Sequence, residues 1–336
     1  MAEAGGYNLG LHIVSHTMRL LLQKIIINFL YYSGLDALGG YFLRDNIFVI
    51  NYHSIGRPEH KEKFSGELYE NLSVEARHFD EQIAFLKKHK HTFFTFSDLP
   101  QILKSRPRKP TLIYFDDGFK DNVIHALPIL KKYEVPATVF ISTGLIDRTH
   151  FLWTLKHRYF LRKNNVASNK IEKEIIRLKG LSESEREELL AAVYSKARFV
   201  FNPANFNVFL NWGDVRLLAK NGWEIGSHGA THSKLTECPP EVARSEIFDS
   251  RRMIKVKIGR NAESFSFPYG RFNDRALELL QSDGYRSIVS SGAGVNDFSA
   301  LHKPFCFLRT IGVRPSDRLP DFLFKLYTKN LIKQFI

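Results

Sequence analysis

The stretch Thr111–Ile141, TLIYFDDGFKDNVIHALPILKKYEVPATVFI, carries the first decision about the fold. It opens on a short apolar run, Thr111–Phe115, and closes on another, Ala137–Ile141. The segment between them, Asn122–Tyr133, predicts a helix. Two buried-type strands flanking a helix make a βαβ crossover, and a parallel sheet follows. The rhythm extends in both directions. Ile47–Tyr52 is a strand candidate upstream; Trp223–Gly226, Ser264–Phe267, Arg286–Ser290 and Phe307–Gly312 are candidates downstream. Ser73 is expected to cap a helix whose Phe79, Ile83 and Leu86 share one face. Asp214–Asn221 predicts a helix stopped by Gly222. Pro239-Pro240 opens one running through Lys257, and Asn273 caps another that stops at Gly284. The alternation predicts an α/β fold, its sheet open or closed into a barrel. A polar interval from about 147 to 209, containing SESEREELL at Ser182–Leu190, breaks the rhythm and predicts a helical insertion.

Composition narrows the classes. The chain has 336 residues, 44% hydrophobic and 25% charged, enough for a full core and unlike disordered, collagenous or coiled-coil sequences. Two cysteines, Cys238 and Cys306, can form neither a disulfide framework nor a thiolate zinc cluster. The net charge of +13 attracts polyanions: nucleic acid, anionic lipid or acidic glycan. Nucleic acid is set aside, because no recognition signature and no aromatic–basic interleaving accompanies the charge. No run approaches the roughly 20 apolar residues that span a bilayer. Leu20–Tyr32 (LLLQKIIINFLYY) and Phe322–Ile336 (FLFKLYTKNLIKQFI, with Lys325, Lys329 and Lys333 four apart) both read as amphipathic helices. Each can pack on the domain or lie on an anionic membrane face. A start at Met18 would give a weak signal-like pattern. The expectation is a cytoplasmic chain in peripheral contact with membrane, ahead of a secreted or periplasmic one.

Four strand ends carry chemistry. Asp116-Asp117-Gly118 follows Thr111–Phe115. Adjacent carboxylates at a strand end repel unless something binds them, and Gly118 lets the backbone turn so that both face one site; a solvated turn is the alternative. Ser227-His228-Gly229-Ala230-Thr231-His232 follows the strand WEIG. Histidines four apart can meet on one side of a helical turn and share a metal. Asp plus two His is a ligand set suited to zinc or a similar divalent ion, with positions open to water. Phe267-Pro268-Tyr269-Gly270 ends a third strand in a turn that can expose a backbone N–H to an oxyanion. Asn51-Tyr52-His53 ends the first.

Taken together, FDDGFKDN, ALPILKKYEVPATVFI, LNWGDVRLLAKNGWEIGSHGATHSKL and SFPYGRFND, in that order, resemble the polysaccharide deacetylases of the NodB-homology type, carbohydrate esterase family 4. The resemblance covers about 47–313. VINYHSIG is most similar to the branch containing the poly-N-acetylglucosamine deacetylases. The resemblance implies a distorted (β/α)7 barrel, here with a helical insertion and terminal helical extensions. The chain is expected to divide into an N-terminal helical arm over 1–46, a barrel over 47–315 and a C-terminal amphipathic helix over 316–336, with the arm, the insertion and the tail outside the resemblance. By position, Asp116 matches the general base, and Asp117, His228 and His232 match the metal ligands. Tyr269 matches the oxyanion N–H donor and His53 the general acid, with His302 as its rival. Ser266 stands where many members carry Arg paired with the base. The implied function is metal-dependent removal of acetyl groups from N-acetylated amino sugars of a surface or lipid-linked glycan, Zn2+ being the expected ion. Two alternatives are hydrolysis of a small linear or cyclic amide, and a non-catalytic protein binding glycan or membrane.

Overall fold

The computed structural model describes residues 18, 21–56, 72–301 and 305–335. They fall into two compact units. One is Asp45–Ser316; the other joins the described residues up to Arg44 with those from Asp317 onward.

The larger unit is a closed parallel barrel. Its strands are β1 (Phe48–Tyr52), β5 (Pro110–Phe115), β6 (Thr138–Ile141), β7 (Glu224–Ser227), β8 (Ser264–Ser266), β9 (Ser287–Ala293) and β10 (Cys306–Gly312). The order β1-β10-β9-β8-β7-β6-β5 closes through a β1–β5 pairing, so seven parallel strands form the ring. This is the (β/α)7 fold, and each ring strand lies within one residue of where the sequence puts it, except that β9 runs three residues further, to Ala293. The sequence left out β4 (Thr92–Phe94), which pairs with the first half of β5, and β2 (Ser54–Ile55) paired with β3 (Ser73–Val74). Each is three residues or fewer, too short for an alternation to register.

The core follows the two-residue period of a strand. Ile47 and Val49, Leu112 and Tyr114, Phe140, Val289 and Leu308 are buried together. Continuing the same alternation places Asn51 and Asp116 on that face, one step beyond the apolar layer. Gly226 on β7 permits the close packing there: a Cβ on it would come within 2.4 Å of the Phe140 ring.

Helices cover the ring much as expected. Phe79, Ile83 and Leu86 are buried on the helix Ala76–Lys88. Ser73, however, does not cap it. Ser73 lies in β3 and donates its hydroxyl to the Gly56 carbonyl, while Glu75 is the residue before the helix. Asn273 does cap the helix Asp274–Ser282, its side chain accepting from the Ala276 N–H at 2.9 Å. The interval after Asp147 holds three helices, Trp153–Lys163, Ser168–Lys179 and Glu183–Lys196. An aromatic cluster of Phe151, Tyr159, Phe201, Phe206 and Phe209 roots them beside Phe119, which directly follows the Asp-Asp-Gly turn.

In the smaller unit, residues 21–32 are helical and a second helix, Leu35–Phe42, follows. At the other end of the chain come Leu319–Leu323, a π-helical turn at Phe324–Thr328, and Lys329–Phe335. Phe322, Leu323, Leu326 and Tyr327 are buried, so the C-terminal segment packs its apolar face.

Candidate active site

Four of the barrel strands deliver the candidate residues from their carboxyl ends, the face where sites of parallel barrels gather. β1 and β5 run side by side with Asn51 opposite Tyr114 and Tyr52 opposite Phe115. The Asp116 N–H donates to the Tyr52 carbonyl at 3.0 Å, extending the pairing by one residue. That register brings Asn51 against the base candidate: Asn51 Nδ2 donates to Asp116 Oδ2 at 2.8 Å, with both residues buried. An amide from the adjacent strand thus holds one oxygen of the Asp116 carboxylate.

The chain then turns at Asp117 and Gly118, with φ of +70° and +71°. Left-handed backbone is costly for most residues, and glycine at 118 removes half of the difficulty. A side chain there would also press on Ile141 and Ile146. The turn directs Asp117 toward the end of β7. Its Oδ1 lies 3.4 Å from His228 Nε2 and 3.2 Å from His232 Nε2.

The two histidines do meet, but not on the helical turn expected of them. Residues 228–232 form an irregular loop in which Gly229 and His232 have φ of +81° and +67°. Buried Glu246, from the helix Pro240–Ile258, supports that loop by accepting from the Thr231 N–H at 2.9 Å. His228 is fixed from behind. Its Nδ1 sits 2.7 Å from the Ser266 carbonyl, which can only accept. Nδ1 therefore carries a proton, and Nε2 is the ring nitrogen that faces Asp117.

The three ligand atoms of Asp117, His228 and His232 all lie within 4.8 Å of one another. Asp117 is 4% exposed, and its Oδ1 makes no hydrogen bond among the described residues. A buried carboxylate oxygen without a donor is unfavourable by itself, and a divalent cation would satisfy it. Burial would raise the Asp117 carboxyl, but the imidazoles of His228 and His232 beside it, with a smaller contribution from His53, hold it well below the usual carboxylate range. The donor set, one carboxylate and two imidazoles, fits zinc or a similar divalent ion. Asp116 Oδ1 is likewise buried without a hydrogen bond among the described residues, and it stands 3.8 Å from His228 Nδ1.

Tyr269 adopts φ of +58° in the Pro268–Gly270 turn, and its ring meets His232 edge-on at 4.9 Å. The insertion reaches this turn as well: Trp153 Nε1 donates to the Tyr269 hydroxyl at 3.0 Å. His53 follows β1. The Asn122 side chain donates to its carbonyl at 2.9 Å, and buried Asp121 accepts from the Ser54 hydroxyl at 2.5 Å and the Ile55 N–H at 3.2 Å. The second half of FDDGFKDN thus holds the loop that carries His53, a role that spacing along the chain does not reveal. Burial pushes the Asp121 carboxyl up to about 7 against these two bonds. His302 lies outside the described residues.

With this geometry in place, comparison with known proteins becomes decisive. The family profile described as polysaccharide deacetylase matches residues 103–288, more than half of the chain. The chain belongs to the polysaccharide deacetylase family. It is therefore a hydrolase of amide bonds on N-acetylated sugars. The chain is similar to a poly-beta-1,6-N-acetyl-D-glucosamine N-deacetylase of Staphylococcus aureus, 24% identical over 252 residues, which are 73% of this chain and 72% of that one. Its fold is similar to that of the Streptococcus pyogenes deacetylase PplD (TM-score 0.58, 20% identity, 84% of this chain and 98% of that one). The fold is also similar to that of IcaB from Ammonifex degensii (TM-score 0.55, 17% identity, 84% and 97%).

Proposed function

We propose that this deacetylase removes acetyl groups, with the help of a divalent metal, from N-acetylated amino sugars of a surface or lipid-linked glycan. We further propose that it works in peripheral contact with an anionic membrane. The observation that carries the catalytic reading is the convergence of Asp117, His228 and His232 within 4.8 Å, next to a second buried carboxylate, Asp116. A poly-N-acetylglucosamine substrate is favoured by the similarity to the staphylococcal N-deacetylase.

Bound by Asp117, His228 and His232, zinc or a similar ion would supply Lewis acidity, polarising the acetyl carbonyl and acidifying a water. Asp116 accepts that water's proton as it attacks, its other carboxylate oxygen held by Asn51. The Tyr269 N–H donates to the oxyanion that develops on the acetyl oxygen. The amino-sugar nitrogen is a poor leaving group until protonated, and His53 delivers the proton. Acetate and a free amine result.

Acetate release from N-acetylglucosamine oligomers, set against release from small linear and cyclic amides, tests the substrate class. Turnover of the oligomers alone supports the proposal. Turnover of the small amides alone replaces it.

A further inference from the structure

Among the described residues, nineteen large hydrophobic side chains are exposed, and eleven of them lie between Met18 and Phe42. Soluble proteins seldom leave so concentrated an apolar surface in water without a partner for it. The positions are regular. Leu21, Leu22, Ile25, Ile26, Phe29 and Tyr32 recur at three- and four-residue intervals, so they share one broad helical face, with Met18 a turn earlier. Ile27 is buried on the other side. The second helix is attached through a glycine: a Cβ on Gly39 would come within 2.7 Å of the Tyr327 Cβ, and Leu35, Leu38, Tyr41 and Phe42 remain outside. The C-terminal segment, for which packing and membrane contact were both open, buries Phe322, Leu323, Leu326 and Tyr327, while Ile332, Lys329 and Lys333 stay exposed.

The charge pattern selects the occupant. The described residues of the smaller unit include six basic ones, Lys24, Arg44, Arg318, Lys325, Lys329 and Lys333, against three acidic ones, Asp36, Asp317 and Asp321, in a chain of net charge +13. A second copy on a two-fold axis would bring this basic surface against its own image. An anionic bilayer instead complements it, and tyrosines such as Tyr32 and Tyr41 suit the interfacial zone. No helix of the described residues is long and apolar enough to cross a membrane, so the element would lie in the plane. We infer that the helical pair 21–42 inserts its apolar face into the interfacial layer of an anionic phospholipid membrane. This rests on the membrane contact proposed above and names the element that makes it.

The test is co-sedimentation of the full chain with phosphatidylglycerol/phosphatidylcholine vesicles and with phosphatidylcholine vesicles. Binding should favour the anionic vesicles and fall with salt. The double substitution Ile25→Asp with Phe29→Asp should lower partitioning by roughly a hundredfold, about tenfold for each side chain kept from the apolar layer. Acetate release from a soluble oligomer should be unchanged in this variant, which shows that the barrel is intact. Vesicle binding that survives the double substitution overturns the assignment of the arm and leaves the membrane contact standing. No vesicle binding overturns both, as does a dimer in light scattering that the substitution dissolves. Loss of acetate release in the unsubstituted chain bears on the catalytic reading alone.

Discussion

Replacing Asp116 by Asn should abolish deacetylation without disturbing either the fold or the metal ligands. The structure sets the size of each effect. Asp116 Oδ2 accepts from Asn51 Nδ2 at 2.8 Å, and an asparagine can present its own carbonyl oxygen to the same donor. One charge-assisted bond becomes a neutral one, a cost of about 1 kcal/mol in stability. The other end of the side chain is different. Oδ1 is buried and without a hydrogen bond among the described residues, the position from which a proton would be taken. An amide NH2 there can only donate. Turnover should therefore fall by about 10²–10⁴-fold, the usual worth of a general base. Metal content should not change, because the converging ligand atoms belong to Asp117, His228 and His232. The assay is acetate release with metal analysis on the same sample, and a melting curve as control. Near-normal turnover in a fully loaded, folded variant would refute the assignment of the base. Loss of metal along with activity would show Asp116 to be a ligand instead.

The general acid can be tested by comparing His53→Ala with His302→Ala at equal metal loading. The first should lose most of its turnover and the second should keep it; the reverse outcome moves the role to His302. The buried carboxyl of Asp121 gives a pH dependence of stability. Its folded value, about 7, is raised above the ordinary 3.8, so the folded state holds an extra proton between those limits. Stability from this group is fully present below about pH 4 and is lost as pH rises through 7. Denaturant midpoints of the natural chain should decline across that window relative to Asp121→Asn; a relative rise would contradict the buried, protonated acid.

Much of the barrel was legible because each ring strand is a short apolar run bounded by turn residues, and the candidate site residues stand at the ends of those runs. Asp116, Asp117, His228 and His232 could be found that way. What escaped were features set by partners far along the chain. Asn51 meets Asp116 across 65 residues, and Asp121 meets Ser54 across 67. Neither pairing leaves a local pattern. Glu246 supports the histidine loop from the next helix, and Trp153 reaches Tyr269 from the insertion, 116 residues away. The loop itself was misjudged because a four-residue histidine spacing suits a helix, whereas Gly229 and His232 take left-handed backbone and reach the same convergence without one. Ser73 was misplaced for a similar reason: a hydroxyl residue shortly before a helix resembles a cap, and here it pairs with β2 instead.

Metal stoichiometry measured together with acetate release tests the central claim most directly. The natural chain and Asp117→Ala would be assayed on N-acetylglucosamine oligomers before chelation, after it, and after zinc is restored. The account predicts one divalent ion per natural chain, activity lost on chelation and regained with zinc, and neither ion nor activity in Asp117→Ala. Undiminished acetate release from a chain stripped of metal, or from Asp117→Ala, would contradict it.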